Sequence, residues 1–393
     1  MDTTTLRPVI KSRLSLRIAV AAMFFMSGLC FASWASRIPT IKQFLHLSEA
    51  GLGGVLLAIP SGLMCSLPFI GWIIPKIGSR KLLIISMILY GILLVGLGAA
   101  QNIFQLVVCL FCYGFVGNAA NISFNTQAVA AERLYETHPI MASFHGIWSI
   151  AGFIGAGIGI FMIGNHIIPF HHFIVILILM IIGTAITSRN LTEDSGKIQS
   201  EETPVVLSIR ERLKLMSPLL QLGIIAFCSM ICEGAMVDWS GVYFKNVINA
   251  QAGWIGAGYF AFMSTMAMGR FTADWFAGKY GLKRTLQLSG SLTAAGLLIS
   301  VLFPYLLPSM LGFMLVGAGV SSVVPMIYSS AGKTPNMSPG VALAAVSTIG
   351  FSGLLIGPAI IGFIAGIATL RASFLLIACM GLSVAILSTK SKL

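Results

Sequence analysis

Twelve apolar stretches, each of roughly 20 residues or more, follow one another along this 393-residue chain, and they leave it few ways to fold. They lie near residues 16–37, 48–73, 81–101, 103–128, 141–164, 168–188, 218–243, 252–277, 284–304, 307–331, 340–368 and 370–388. A helix of about 20 residues crosses a hydrocarbon core of roughly 30 Å, and in lipid only helices and closed barrels satisfy every backbone N–H and C=O internally. Barrel strands alternate in polarity, and these runs do not. With 57% hydrophobic and 9% charged residues, the chain has too little polar surface to coat a soluble globule. It reads as an all-α membrane protein of twelve transmembrane helices.

The net charge of +12 follows topology. An even number of spans puts both termini on one side. That side carries Arg7, Lys11, Arg13, Arg17, Lys76, Arg80, Lys81, Arg133, Lys279, Lys283, Arg284, Lys333, Lys390 and Lys392, whereas only Arg37, Lys42, Lys245 and Arg371 face the other. The positive-inside rule then predicts cytoplasmic termini and a multi-pass protein of the cytoplasmic (inner) membrane. A nucleic-acid partner is not indicated. The first span has the basic lead of a signal peptide but an apolar region too long for one, so it is read as retained. All seven cysteines lie in apolar segments, and Cys109 with Cys112 reads as packing rather than a redox or metal pair. No cofactor or metal motif is present, and the chain is expected to act as a monomer in the bilayer.

Residues 189–217 are the one long polar interruption, and they divide the chain into a six-helix half at 1–188 and another at 218–393. Within the interruption, Val205 to Met216 reads either as a short interfacial helix or as a flexible tether. The halves look like copies related by a pseudo-twofold. Ser149 to Gly159 aligns with Ser347 to Gly357 at six identical positions of eleven, and Gly78-Ser79-Arg80-Lys81 matches Gly281-Leu282-Lys283-Arg284. A repeated six-span unit with a linker between copies is a transporter architecture, with the solute bound near the midplane.

The stretch from Gly71 through Pro75, Lys76 and Gly78 to Arg80 and Lys81 resembles the helix 2 to helix 3 loop signature of the major facilitator superfamily. Three further stretches resemble its fucose-permease-like branch and uncharacterised bacterial inner-membrane relatives: Trp34 to Pro39, Asn125 through Gln127 to Ser149, and Glu233 to Ser240. The resemblance spans the chain and implies the major facilitator fold and alternating access. The acidic member of the loop signature is replaced by Pro75 and by Gly278 in the two copies. The fucose permease has carboxylates in helices 1 and 4 that are absent here, so the resemblance does not extend to fucose.

Function is expected to concentrate on a few polar residues within the spans. Asn118, Asn121 and Asn125 share one helical face, suited to hydroxyl-rich solutes or, alternatively, to hydrogen bonds between helices. Trp34, Trp239 and Tyr328 are candidates to stack on a sugar ring, with the interfacial aromatic belt as the alternative. His145 and Trp148 share a face of the next helix and are read as gating residues. Counting about 1.5 Å per residue, Glu233 lies deep in helix 7 and Asp238 near its outer mouth, level with Arg37 of helix 1. Arg37 and Asp238 are expected to pair across the halves as an outer gate, and Arg270 with Asp274 as a local i, i+4 pair. Glu233 then has no basic partner at its depth. Desolvation disfavours the ionised form of an unpaired carboxyl, as a proton-coupling residue requires.

The sequence therefore predicts a secondary transporter, proton-coupled and directed to uptake of a small polar solute such as a sugar. The alternative is proton-driven export of amphipathic compounds. No HExxH, nucleophile elbow or phosphate loop points to an enzyme.

Overall fold

The computed structural model describes residues 13–135, 140–193, 209–332, 334 and 339–390. Over these the chain forms thirteen α-helices: α1 (Arg13–Phe44), α2 (Glu49–Leu56), α3 (Ala58–Ile77), α4 (Ser79–Ala99), α5 (Ile103–Glu132), α6 (Met141–Gly164), α7 (Pro169–Ser188), α8 (Ile209–Asn246), α9 (Ala257–Tyr280), α10 (Leu282–Leu302), α11 (Leu306–Ala331), α12 (Pro339–Ile367) and α13 (Leu370–Lys390). Among the described residues, eleven spans are long and apolar enough to cross a bilayer, with α2 and α3 counted as one span over Glu49–Ile77. The twelfth expected span corresponds to α9, a helix of 24 residues in which the side chain of Asp274 lies outside the described residues.

The internal repeat governs the packing. In the first half α1 packs on α6 and α7, α5 on α3 and α4, and α4 on α7; in the second half α8 packs on α12 and α13, α11 on α9 and α10, and α10 on α13. The two copied loop glycines adopt the same backbone, with φ 82° and ψ 150° at Gly78 and φ 80° and ψ 155° at Gly281. Side chains rarely adopt that left-handed φ, so glycine at the α3–α4 and α9–α10 turns is a conformational requirement.

Other local features were only partly anticipated. The helix expected from Val205 to Met216 begins, within the described residues, at Ile209 as the first turns of a continuous α8, while 205–208 lie outside them. Despite the missing acid in its loop signature, the α3–α4 turn is tied down elsewhere. Arg80 reaches Glu193 Oε1 at 2.5 Å and the Ser188 carbonyl at 3.1 Å, and Gln127 bonds Ser79 Oγ at 2.7 Å. Glu132, ending α5, accepts from the backbone N–H groups of Ile140 and Met141 and so caps α6.

The halves meet where α1 faces α8, α2 faces α12 and α6 faces α9. At the end carrying the α1–α2 and α8–α9 loops they are sealed. Glu49 accepts from Lys42 at 3.1 Å and from Asn246 of the other half at 3.0 Å, and Lys245 bonds Gln43 across the same seam. Backbones also close up there: a Cβ on Gly53 of α2 would sit 2.7 Å from the Pro358 carbonyl oxygen of α12.

Candidate functional site

Behind this seal, between the halves, lies a cavity of about 300 Å³. Its walls are aromatic. Phe24 and Phe31 come from α1, Tyr90 from α4, Tyr113 and Phe124 from α5 and Trp148 from α6, with Asn118, Asn121, His145, Glu233 and Arg270 as its polar points. Phe24 packs on Phe124 with ring centroids 4.2 Å apart and meets His145 edge-on at 5.3 Å; Phe31 tilts against Trp148 at 5.9 Å. The repeat places the seam on the axis between the copies, so one cavity draws on both.

The asparagine stripe does divided work. Asn118 is buried and donates to Ser66 Oγ at 2.8 Å and to the Leu63 carbonyl at 3.3 Å, tying α5 to α3 while edging the cavity. Asn121 is exposed in the cavity wall. Asn125, one turn on, donates to the side chain and carbonyl of Asn121 and does not line the cavity. His145 and Trp148, read from the sequence as gating residues, both line it. Trp34 and Trp239 do not: they are 1% and 0% exposed and pack in the core. Tyr328 is half-buried on α11, also away from the cavity wall.

Charge pairing differs from every expectation drawn from depth. Arg37, 1% exposed, turns back into its own half, where Nε donates to His172 Nδ1 at 3.1 Å and Nη2 to the Ile167 carbonyl at 2.8 Å. The reason is that α1 packs on α7, and α7 with the loop that precedes it supplies the acceptors beside Arg37. Asp238 forms no ion pair among the described residues, so the expected bridge between Arg37 and Asp238 is not made. Glu233, expected to lack a basic neighbour, has Arg270: Nη2 lies 3.4 Å from Glu233 Oε1. The Asp274 side chain expected to hold Arg270 lies outside the described residues.

Glu233 lies thirteen residues before the end of α8, and Arg270 thirteen residues after the start of α9. Both are therefore about 20 Å from the sealed end at 1.5 Å per residue. Arg270 also donates from Nη1 to Ser149 Oγ of the first half at 2.8 Å, and its guanidinium sits 5.7 Å from the Trp148 ring centroid. The pair is loose. A charge-assisted N–H···O bond is ordinarily about 2.7–2.9 Å. Each partner also keeps a share of its side-chain surface accessible, 19% for Arg270 and 21% for Glu233.

Residues 20–338 match the sequence profile of the Major Facilitator Superfamily. An uncharacterised MFS-type transporter of Yersinia pestis is 30% identical over 98% of both chains. The membrane protein MosC of Rhizobium meliloti is 33% identical over 93% of this chain and 88% of its own. Among solved structures, a variant of the nucleoside transporter NupG superposes with a TM-score of 0.74 at 14% identity, covering 96% of this chain and 100% of the other. The fucose:proton symporter FucP of E. coli superposes at 0.62 and 15% identity, covering 96% of this chain and 98% of the other.

Proposed function

We propose, for a chain that belongs to the Major Facilitator Superfamily, proton-coupled uptake of a small polar solute such as a sugar, by alternating access of the cavity between its halves. Membership makes it a membrane transporter and not an enzyme. We read the chain as two six-helix units, 1–188 and 218–393, and place it as a monomer in the inner membrane with both termini cytoplasmic, on the charge asymmetry of its loops. The observation that carries the coupling is Glu233, a titratable acid at bilayer depth in the wall of the cavity and loosely held by Arg270. Asn121, whose Oδ1 accepts from Asn125, presents its amide to the cavity, and the aromatic walls supply ring faces. One protein with this fold is named a fucose:proton symporter and another a nucleoside transporter, which puts hydroxyl-rich solutes first among compounds to test.

In proteoliposomes with an imposed proton gradient, inward-directed accumulation is expected for the wild type. Glu233→Gln keeps size and hydrogen bonding but removes titration, so it should lose gradient-driven accumulation and retain solute exchange. Accumulation at the wild-type level with wild-type pH dependence in that variant would rule the coupling role out. Gradient-driven extrusion in place of accumulation would favour export.

A further inference from the structure

We infer that the transported solute is an anion, a small hydroxyl-bearing carboxylate, whose carboxylate is taken by Arg270 when a proton on Glu233 releases it. The inference rests on the transport reading above and names the substrate class of that same site.

The starting point is an asymmetry between the two partners. A guanidinium stays protonated under all ordinary conditions, whereas a carboxyl titrates. In a membrane interior the Arg270–Glu233 pair can therefore be opened cheaply in one way only, by neutralising Glu233. Displacing Glu233 with a cationic solute would strand Arg270 as an uncompensated charge at bilayer depth, which is the costly case. Protonating Glu233 leaves a permanent cation facing the cavity, and an incoming carboxylate restores its partner. The proton goes to Glu233 Oε, the solute's carboxylate replaces it at Arg270, and the loaded site has the same net charge as the empty one.

The geometry suits this exchange. The contact is single and long at 3.4 Å, so a bidentate carboxylate can replace it with two shorter bonds. Ser149 Oγ holds Nη1 at 2.8 Å, and the Trp148 ring lies against the guanidinium, so Arg270 stays oriented when Glu233 lets go. Among the described residues, the other groups facing the pair supply no competing fixed anion; the side chain of Asp274, one turn beyond Arg270 on α9, lies outside them. His145 stands on α6 in the same cavity, Tyr259 of α9 and Tyr328 of α11 lie within electrostatic range of Glu233, and α12 carries no ionisable side chain. Asp238 is five residues further along α8 and outside the cavity wall. Beyond the charged pair, Asn121 and the rings of Phe24 and Trp148 offer a hydroxyl contact and apolar faces for the rest of the solute. At about 300 Å³ the cavity is at the small end of ligand pockets.

The test compares acids with their neutral counterparts. Purified full-length protein is titrated with glucuronate against glucose and with gluconate against sorbitol, following thermal stabilisation at about pH 6 and about pH 8, a range across which these acids stay ionised. The acids should stabilise the wild type, more strongly at the lower pH, and the neutral compounds should do so about tenfold less effectively or worse. Glu233→Gln should bind the acids equally at both pH values. Arg270→Lys should keep the preference for acids and Arg270→Gln should lose it. Because Arg270→Gln leaves Glu233 unpaired, the double variant Glu233→Gln with Arg270→Gln serves as a neutral site that retains its fold. Equal stabilisation by the neutral partners, no stabilisation by any acid, or an acid preference that survives in the double variant overturns the inference. Exchange across vesicle membranes is scored separately: exchange of a neutral solute alone sinks the anion and leaves transport standing, whereas a binding preference for acids without any exchange sinks transport.

Discussion

At the residue scale, what separates the three asparagines is what each amide already holds. Asn118 is committed to Ser66 and Leu63, whereas Asn121 faces the cavity. Asn118→Leu should therefore lower thermal stability by about 1 kcal/mol, the net worth of a typical hydrogen bond, through the loosened α3–α5 contact. Asn121→Leu gives up only the exposed bond that its Oδ1 accepts from Asn125, so it should leave stability nearly unchanged and weaken solute binding by about five- to tenfold. Thermal midpoints and binding isotherms for the two variants check this, and a stability loss at Asn121 would make it a structural residue. Helical spacing placed all three on one face, but spacing cannot say which amides a neighbouring helix has already claimed. The same limit hid Arg270: its i, i+4 relation to Asp274 was visible in the chain, while Glu233, on another helix 37 residues away, was not.

At the element scale, the sealed end depends on α2 and the end of α8 rather than on Arg37. Glu49 accepts from Lys42 within its own half and from Asn246 across the seam. Glu49→Ala removes both bonds. A cysteine placed at Ser27 in the cavity should then label faster, by about tenfold, with an impermeant maleimide supplied from the sealed side. Arg37→Ala should leave that labelling rate unchanged. It should instead lower stability by about 1–3 kcal/mol, because His172 Nδ1 and the Ile167 carbonyl lose their buried donor. Faster labelling in Arg37→Ala, with none in Glu49→Ala, would return the gate to Arg37. The turns were more legible than the seam: the sequence paired the Gly78 and Gly281 loops as copies, and both glycines take the same positive φ.

At the scale of the whole molecule, alternating access requires α2 and α12 to part at the sealed end, and they now touch through glycine. A Cβ on Gly53 would meet the Pro358 carbonyl oxygen at 2.7 Å and the Gly362 Cα at 3.0 Å, neither of which is the movable tip of a side chain. Gly53→Val should therefore wedge the halves apart, raise labelling at Ser27→Cys from the sealed side and abolish net accumulation. Wild-type labelling and accumulation would mean that this contact is not part of the cycle. By itself the sequence determined the membrane class, the order of the spans and the two-copy plan. These depend on hydropathy and on the repetition of local motifs, both of which are written along the chain. Only the tertiary structure decided that Arg37 belongs to His172, that Arg270 belongs to Glu233 and Ser149, that Trp34 and Trp239 are core, and that Glu49 holds the seam. Each of those depends on which faces two helices turn to one another, a choice made by the packing of all the spans together and carried by no single one of them.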